Sequence, residues 1–485
     1  MCRPRTASLP PRHGSTMTAG LVLASAVLLA GPLPARAADP SASPPSAHAP
    51  APTVTPPAAI LAPAPLSLAE TLERIASSSQ ASVDRELDIA SSRRKTREAR
   101  ARLFPSVDFS GAFTANDHAQ VAVFDGLTAA LTDQSYLQGR LAARYVLWNG
   151  GLRSTSIAVA QAYEEVAGTT GDAHVVASQL RGMGAYLQAM AARAEQKEVA
   201  KRITAVKAHL AVARDMYDQG MVARNDVLET EVRLRTVQDQ ASALADQEVA
   251  ATRELNRIMG EEPSRETALP GSLPKPPTLG EAREALVRTA VEHSPAVRAA
   301  RATVAAAAKQ EELQHLTGWP DVFAQADHTY AENSHMLYQD TNSILVGLSW
   351  NLYDGGARAA RREQASLAAA KAERALEEAQ RTAASDIDRA YRDYRQALRE
   401  ARTARANITA AAENLRIEED QYRAGLVDTT DVLDAEALLA QSRFSLIAQH
   451  YSAYLKQARV LALAGRDLAA FYRTVRGAAA QGERS

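Results

Sequence analysis

The ionisable residues that stand in a pattern are few, and the pattern occurs twice. Between Tyr422 and Leu439, Asp428, Asp431, Asp434 and Glu436 follow closely on Gly425. An earlier counterpart runs from Tyr217 to Leu234. Tyr217 aligns with Tyr422, Gly220 with Gly425, Asp226 with Asp431 and Glu231 with Glu436, all at one offset (425 − 220 = 205). Each copy reads as a helix end, a tight turn and a new helix start. Glycine supplies the left-handed cap that closes a helix, and acids in the next few positions suit a helix N-terminus. Taken from the residues alone, Asp428 is a helix-start acid. Asp431 and Asp434 fit that role and a charged lining about equally.

Other chemistry is missing. The chain has no HExxH, no phosphate-binding loop, no dinucleotide glycine fingerprint, and no Cys or His cluster at metal spacing. Its His and Ser residues are scattered, so no catalytic residue, cofactor site or metal site can be nominated, and an enzyme is not expected. Arg93-Arg94-Lys95 is read as a solvated helix face. A net charge of −1 and aromatics at 5% give no argument for nucleic acid.

A duplicated helix-turn-helix needs long elements to hold it. The 485 residues are 46% hydrophobic, and the abundant Ala favours close-packed helices. Residues 1–37 read as a secretory signal: Arg3, Arg5 and Arg12 precede the apolar run Leu21–Ala30 and the small-x-small site at Ala35–Ala37. The one cysteine, Cys2, leaves with that segment. Residues 38–65, rich in Pro, Ala and Ser, are expected to be a flexible tail. Residues 66–260 form a first repeat, 261–280 a linker rich in Pro and Gly, 281–470 a second repeat, and 471–485 a tail.

Within each repeat the order of signals is the same. A helix opens with capping-box spacing, Ser67 to Glu70 or Thr278 to Glu281, and runs to about Leu103 or Leu316. Pro105 and Pro320 stop it. Alternating patterns follow: Val107, Phe109 and Phe113, then Leu141, Ala143, Tyr145 and Leu147. In the second repeat they are Val322, Ala324 and Ala326, spoiled by Phe323, then Ile344 through Leu352. Residues 116–136 and 331–341 are read as loops. Each return strand ends in a double glycine, Gly150-Gly151 or Gly355-Gly356, again 205 apart, and a long helix begins. The long helices, roughly 152–219 and 357–424, would each span about 100 Å. Four strands per chain cannot close a membrane barrel, so more than one chain is required.

This plan resembles the TolC-like outer-membrane factors, the exit ducts of tripartite efflux pumps and type I secretion systems. The likeness covers about residues 66–470. It rests on the two Tyr-x-x-Gly turns with Asp-Val-Leu, the double-glycine junctions and the helix-Pro-strand passages. It implies a mainly α fold with a membrane β-barrel: a long α-helical periplasmic barrel plus four β-strands per chain, closed by a homotrimer into twelve strands. It implies a place in the outer membrane, among outer-membrane lipid, of a Gram-negative bacterium. The implied partners are a periplasmic adaptor (membrane fusion) protein and an inner-membrane ABC exporter or proton-driven pump, with no nucleic acid. Energy for transport would come from those partners.

By the same resemblance, Asp431, Asp434, Tyr422 and Asp226 belong to a periplasmic gate. The aspartates would line a constriction, and Tyr422 would link to Asp226. Gly220, Met221, Val222, Gly425, Leu426 and Val427 would meet the adaptor. Some relatives carry Arg two residues after the second turn glycine, where this chain has Val427, so a salt bridge from that position is absent and Arg224 is the alternative cation. The expected function is type I secretion of a protein toxin. Multidrug efflux is the alternative, and a non-pore coiled-coil spanning the envelope is the reading from another class.

Overall fold

The structure is a computed structural model that describes residues 65–474. The secretory signal, most of the Pro-rich tail and the last eleven residues of the C-terminal tail lie outside the described residues. Each repeat builds the same series, with one extra hairpin in the first. The first has α1 (Leu68–Ser78), α2 (Gln80–Ala101), β1 (Ser106–Ala115), a small hairpin of β2 (Val121–Phe124) and β3 (Leu127–Ala130), β4 (Ser135–Trp148), α3 (Leu152–Asp218) and α4 (Arg224–Met259). The second has α5 (Arg283–His293), α6 (Pro295–Leu316), β5 (Asp321–Ala331), β6 (Asp340–Ser349), α7 (Ala357–Arg423) and α8 (Thr429–Leu463). No described helix is long and apolar enough to cross a membrane.

The two long helices have 67 residues each, about 100 Å at the rise of an α-helix. The expected single helix before each strand is two helices. Ser79 breaks the first by capping α2 through its side chain, and Ser294, followed by Pro295 at the first helical position, does the same for α6. The start expected at Thr278 does not form; α5 begins only at Arg283.

These breaks are joints. Gly260 closes α4 with φ +78°, and a Cβ there would lie 2.3 Å from the Ser78 carbonyl oxygen. Gly465, 205 residues later, follows α8 with φ +70°, and its Cβ would lie 2.2 Å from the His293 carbonyl oxygen. A returning long helix, α4 or α8, thus ends against the break between two shorter helices, once per repeat. Replacing Gly465 by Ala is expected to lower the melting temperature of the detergent-solubilised protein more than Gly425→Ala. Both residues have positive φ, but Gly425 has open space around it. Equal shifts would show that backbone strain alone matters, at about 1–2 kcal/mol.

Glycines of α3 that look like weak points in the sequence are contact points. A Cβ on Gly171 would meet Arg85 at 2.4 Å, and one on Gly182 would meet Ile75 at 2.2 Å, so their absence lets α1 and α2 lie close on α3. The largest core gathers Leu72, Ile75, Met183, Tyr186, Met190, Leu255, Met259 and Tyr454 midway along the helices. Tyr472, from the segment assigned to the tail, is buried with them, and its hydroxyl donates to Gln457 Oε1 at 3.1 Å. The inter-repeat segment is strapped across this girdle. Tyr454 and Tyr394 hydroxyls donate to the carbonyls of Pro274 and Pro277, at 2.9 and 3.2 Å, and Arg193 to that of Leu269 at 2.6 Å.

The main sheet is antiparallel in the order β1-β4-β5-β6. Its register sets Phe109 opposite Leu141, Leu141 opposite His328, and Ala326 opposite Ile344. Tyr145, Ala324 and Val346 form another apolar row, but the row of Phe109 and Leu141 ends in His328 and Asn342, and a bulge between Val146 and Trp148 sets Trp148 opposite Val322. Phe323 points to the other face, where it fits over Gly347 and under the Arg144 guanidinium, 4.0 Å from the ring centroid. Beside it Arg140 pairs with Asp327 at 2.9 Å. At the helix end of the sheet Trp148, Trp319, Trp350 and Tyr353 are exposed, an arrangement suited to an interfacial aromatic girdle. The segment 116–136, expected to be a loop, contains the β2–β3 hairpin. Asp125 (φ +48°) and Gly126 (φ +85°) supply its turn.

Candidate functional site

The candidate site lies where the four longest helices turn. Both turns are Schellman closures. In the first, the amide of Gly220 (φ +74°) donates to Tyr217 O and that of Met221 to Met216 O, at 2.9 and 2.8 Å. In the second, Gly425 (φ +72°) donates to Tyr422 O and Leu426 to Gln421 O, at 2.9 and 3.0 Å. Met221 and Leu426 are exposed at the extreme tips. Val222 and Val427 are half-buried and turn inward onto a small core of Met216, Tyr422 and Val432. Val427 therefore welds one hairpin to the other by apolar contact. Arg224 is exposed and makes no ion pair among the described residues.

The two repeats are unequal here. Tyr217 is exposed, whereas Tyr422 is 1% exposed. Tyr422 lies beside Thr429 and Asp226 without a hydrogen bond of good geometry, and burial, together with the Asp226 charge, raises its hydroxyl pKa. Tyr422 and Asp226 are thus brought together within one chain, but not bonded. The Asp226 carboxyl is raised, first by burial and then by the neighbouring Asp428. Asp428 caps α8, accepting from the amides of Thr430 and Asp431 at 3.0 and 3.3 Å. Asp431 and Asp434 stand free of that capping role: both carboxylates are exposed, one helical turn apart on α8.

Two contacts between the hairpins escaped the sequence reading. His209 of α3 places Nε2 2.7 Å from the Thr429 hydroxyl, with its ring 4.8 Å from that of Tyr422. Further along, Arg202 of α3 meets both carboxylate oxygens of Glu436 on α8, at 2.8 and 2.9 Å, and donates to Gln240 at 3.2 Å. The pair is nearly buried, with side chains 12% and 11% exposed. Glu231, the counterpart of Glu436, instead stays within its own hairpin with Arg214. A signal for neither contact exists in one repeat alone, because both partners of each come from different repeats and lie more than 200 residues apart.

Burial lowers the His209 pKa. The folded tip therefore favours neutral imidazole, and as pH falls below the ordinary value of about 6.5 the unfolded tip takes up a proton that the folded one resists. Tip stability from this group is present above that pH and is lost in acid. Proteolysis near residue 220 should accelerate between about pH 7 and pH 5. His209→Gln, which keeps a polar reach to Thr429, should flatten that dependence. An unchanged slope would remove His209 from the explanation.

At the opposite end of α3 and α7, the double glycines make the strand-to-helix swing. Gly150 and Gly151 have φ +62° and +87°, and Gly355 and Gly356 have φ +68° and +89°. Two successive left-handed residues admit almost nothing but glycine. Gly150 is also packed against Trp319, where a Cβ would lie 2.6 Å away, while its counterpart Gly355 faces open space. The junction and the tip are thus separated by the full length of a long helix.

Residues 286–466 match the family described as Outer membrane efflux protein. Protein CyaE of Bordetella pertussis is 28% identical over 382 residues, covering 76% of each chain. Among solved structures, the outer membrane protein VceC of Vibrio cholerae superposes with a TM-score of 0.68 at 17% identity, covering 82% of this chain and 96% of its own. The open state of the MtrE outer membrane channel of Neisseria gonorrhoeae superposes with a TM-score of 0.65 at 16% identity, covering 83% and 89%. These structural likenesses establish the fold; the matched family is one of channels rather than enzymes.

Proposed function

We propose a specific task for this chain, which carries an outer membrane efflux protein domain, has the TolC-like fold and resides in the outer membrane with a large periplasmic portion: it is the exit duct for type I secretion of a protein toxin. Three copies close the four-stranded sheets into a twelve-stranded barrel, and their long helices form the periplasmic tube. The observation that carries the duct is the sheet itself. It has two open edges, β1 and β6, and one largely apolar face, which lipid covers only if further copies pair the edges. The similarity to Protein CyaE supports secretion over drug efflux, and the cargo we propose is an adenylate cyclase toxin (cyclolysin).

In this reading Asp431 and Asp434 of three chains line the constriction at the tube's far end. Tyr422 and Asp226 sit behind them, between the hairpins. Met221 and Leu426, held outward by the closures at Gly220 and Gly425, face a periplasmic adaptor, while Val222 and Val427 fix the turns that present them. The double-glycine junctions Gly150-Gly151 and Gly355-Gly356 join barrel to tube. An inner-membrane ABC exporter supplies the energy. A proton-driven pump in its place would make the chain an efflux channel.

Deletion of this chain in its own host decides between the two. Secretion predicts that an exported toxin disappears from the medium while susceptibility to small toxic compounds stays as before. The reverse pattern would establish efflux and sink the secretion reading.

A further inference from the structure

We infer that the outward end of the barrel carries an apolar collar between copies, in which the β2–β3 hairpin of one chain covers Met336-Leu337-Tyr338 of the next. This rests on the trimeric duct reading and adds an interface to it. β1, β4, β5 and β6 alternate, so the two free edge strands, β1 and β6, run antiparallel to each other. When β1 of one copy pairs with β6 of the next, the chain leaving β1 at Ala115 lies beside the chain about to enter β6 at Asp340. The first is the segment carrying the β2–β3 hairpin; the second is Met336-Leu337-Tyr338.

Both segments are apolar and uncovered in the single chain. Val121, Val123, Leu127 and Leu131 are exposed, Leu127 at 76%, as are Met336, Leu337 and Tyr338, Leu337 at 88%. A two-stranded hairpin of four residues a side is barely stable without something to pack on. Its own sheet does not provide that support: β2 and β3 pair only with each other. Lipid is the poorer cover, because the polar Asn116-Asp117-His118 lies between the end of β1 and the hairpin and lifts it past the apolar band.

The bases of both segments are fixed, so they are aimed. Buried Asn333 donates to Leu131 O at 3.0 Å and accepts from the Asp133 amide at 3.3 Å. The Asp133 carboxylate accepts from the amide and hydroxyl of Ser334, each at 2.6 Å. This clasp ties the first repeat's outer segment to the second repeat's within one chain, and leaves the apolar side chains to a neighbouring copy.

The test is oxidative cross-linking of Val123→Cys with Leu337→Cys in a Cys2→Ser background, on outer-membrane vesicles, resolved on a non-reducing gel. Linked species of two and three chains should form with both cysteines present and not with either alone. Self-linking by a single-cysteine variant would place equivalent segments at the threefold axis and overturn the collar. So would absence of linkage in a variant that still runs as a heat-modifiable trimer, an outcome that leaves the duct itself standing. Failure of the unsubstituted protein to run as a trimer would overturn both readings.

Discussion

If Asp431 and Asp434 line the proposed constriction, the double substitution Asp431→Asn, Asp434→Asn should abolish the cation preference of the channel in a planar bilayer. A fall on the order of tenfold in cation-over-anion selectivity is expected at low salt, because carboxylates converging on a narrow axis concentrate counter-ions. The effect should fade toward 1 M salt, where charges about 3 Å apart or more are screened. Asp428 provides the control. Its carboxylate is engaged with the amides of Thr430 and Asp431, and Asn serves as well as Asp at an N-cap. Asp428→Asn should therefore leave selectivity as it was. If the double variant keeps the parent's selectivity and conductance, Asp431 and Asp434 are helix-start acids and nothing more.

The contrast between these aspartates also shows what a sequence can reveal. Repetition at a fixed offset located the tips, the double glycines and the strand parity, because each is a local requirement that both repeats meet separately. Glycine at 220 and 425, and at 150, 151, 355 and 356, is demanded by backbone conformation, which one residue type satisfies. Phe323 broke the alternation, since its fit over Gly347 and under Arg144 depends on two other strands. The helix break at Ser294 is legible in the sequence, Ser-Pro being a sound helix start, whereas Ser79, followed by Gln80, carries only the weaker signal of a serine cap. The Asp125-Gly126 turn between two apolar runs is likewise a hairpin signal, though it stands inside a segment whose polar flanks read as a loop. What no local pattern discloses is a contact between repeats. His209 with Thr429 and Arg202 with Glu436 exist only because the two hairpins lie side by side.

That last pair carries the second large effect. Arg202 and Glu436 are nearly sealed from solvent, and each is the other's compensation: the Arg202 Nε–H is shared by both carboxylate oxygens, and Nη1 donates to Gln240 Oε1. Removing one partner leaves the other charge buried and unpaired, at a cost of about 3–5 kcal/mol. The cost falls on the seam between α3 and α8, which is the seam a gate built from these hairpins would have to part. Glu436→Gln and Arg202→Met should each lower the melting temperature and raise leakage of small antibiotics or dyes through the outer membrane. The pair differs from the tip aspartates in its response to a second change. Arg202→Met combined with Glu436→Leu fills the same space with apolar side chains and removes both charges, so it should restore most of the melting temperature. If the double variant stays closed as well as stable, the seam is held by packing, and the ion pair only specifies its register. If it is stable but leaky, the ion pair itself holds the gate shut. Single variants as stable and as tight as the parent would show that the hairpins are locked elsewhere, by the apolar weld of Met216, Tyr422 and Val432 or by the contacts of Arg443 with Glu198 and of Arg233 with Leu433 O.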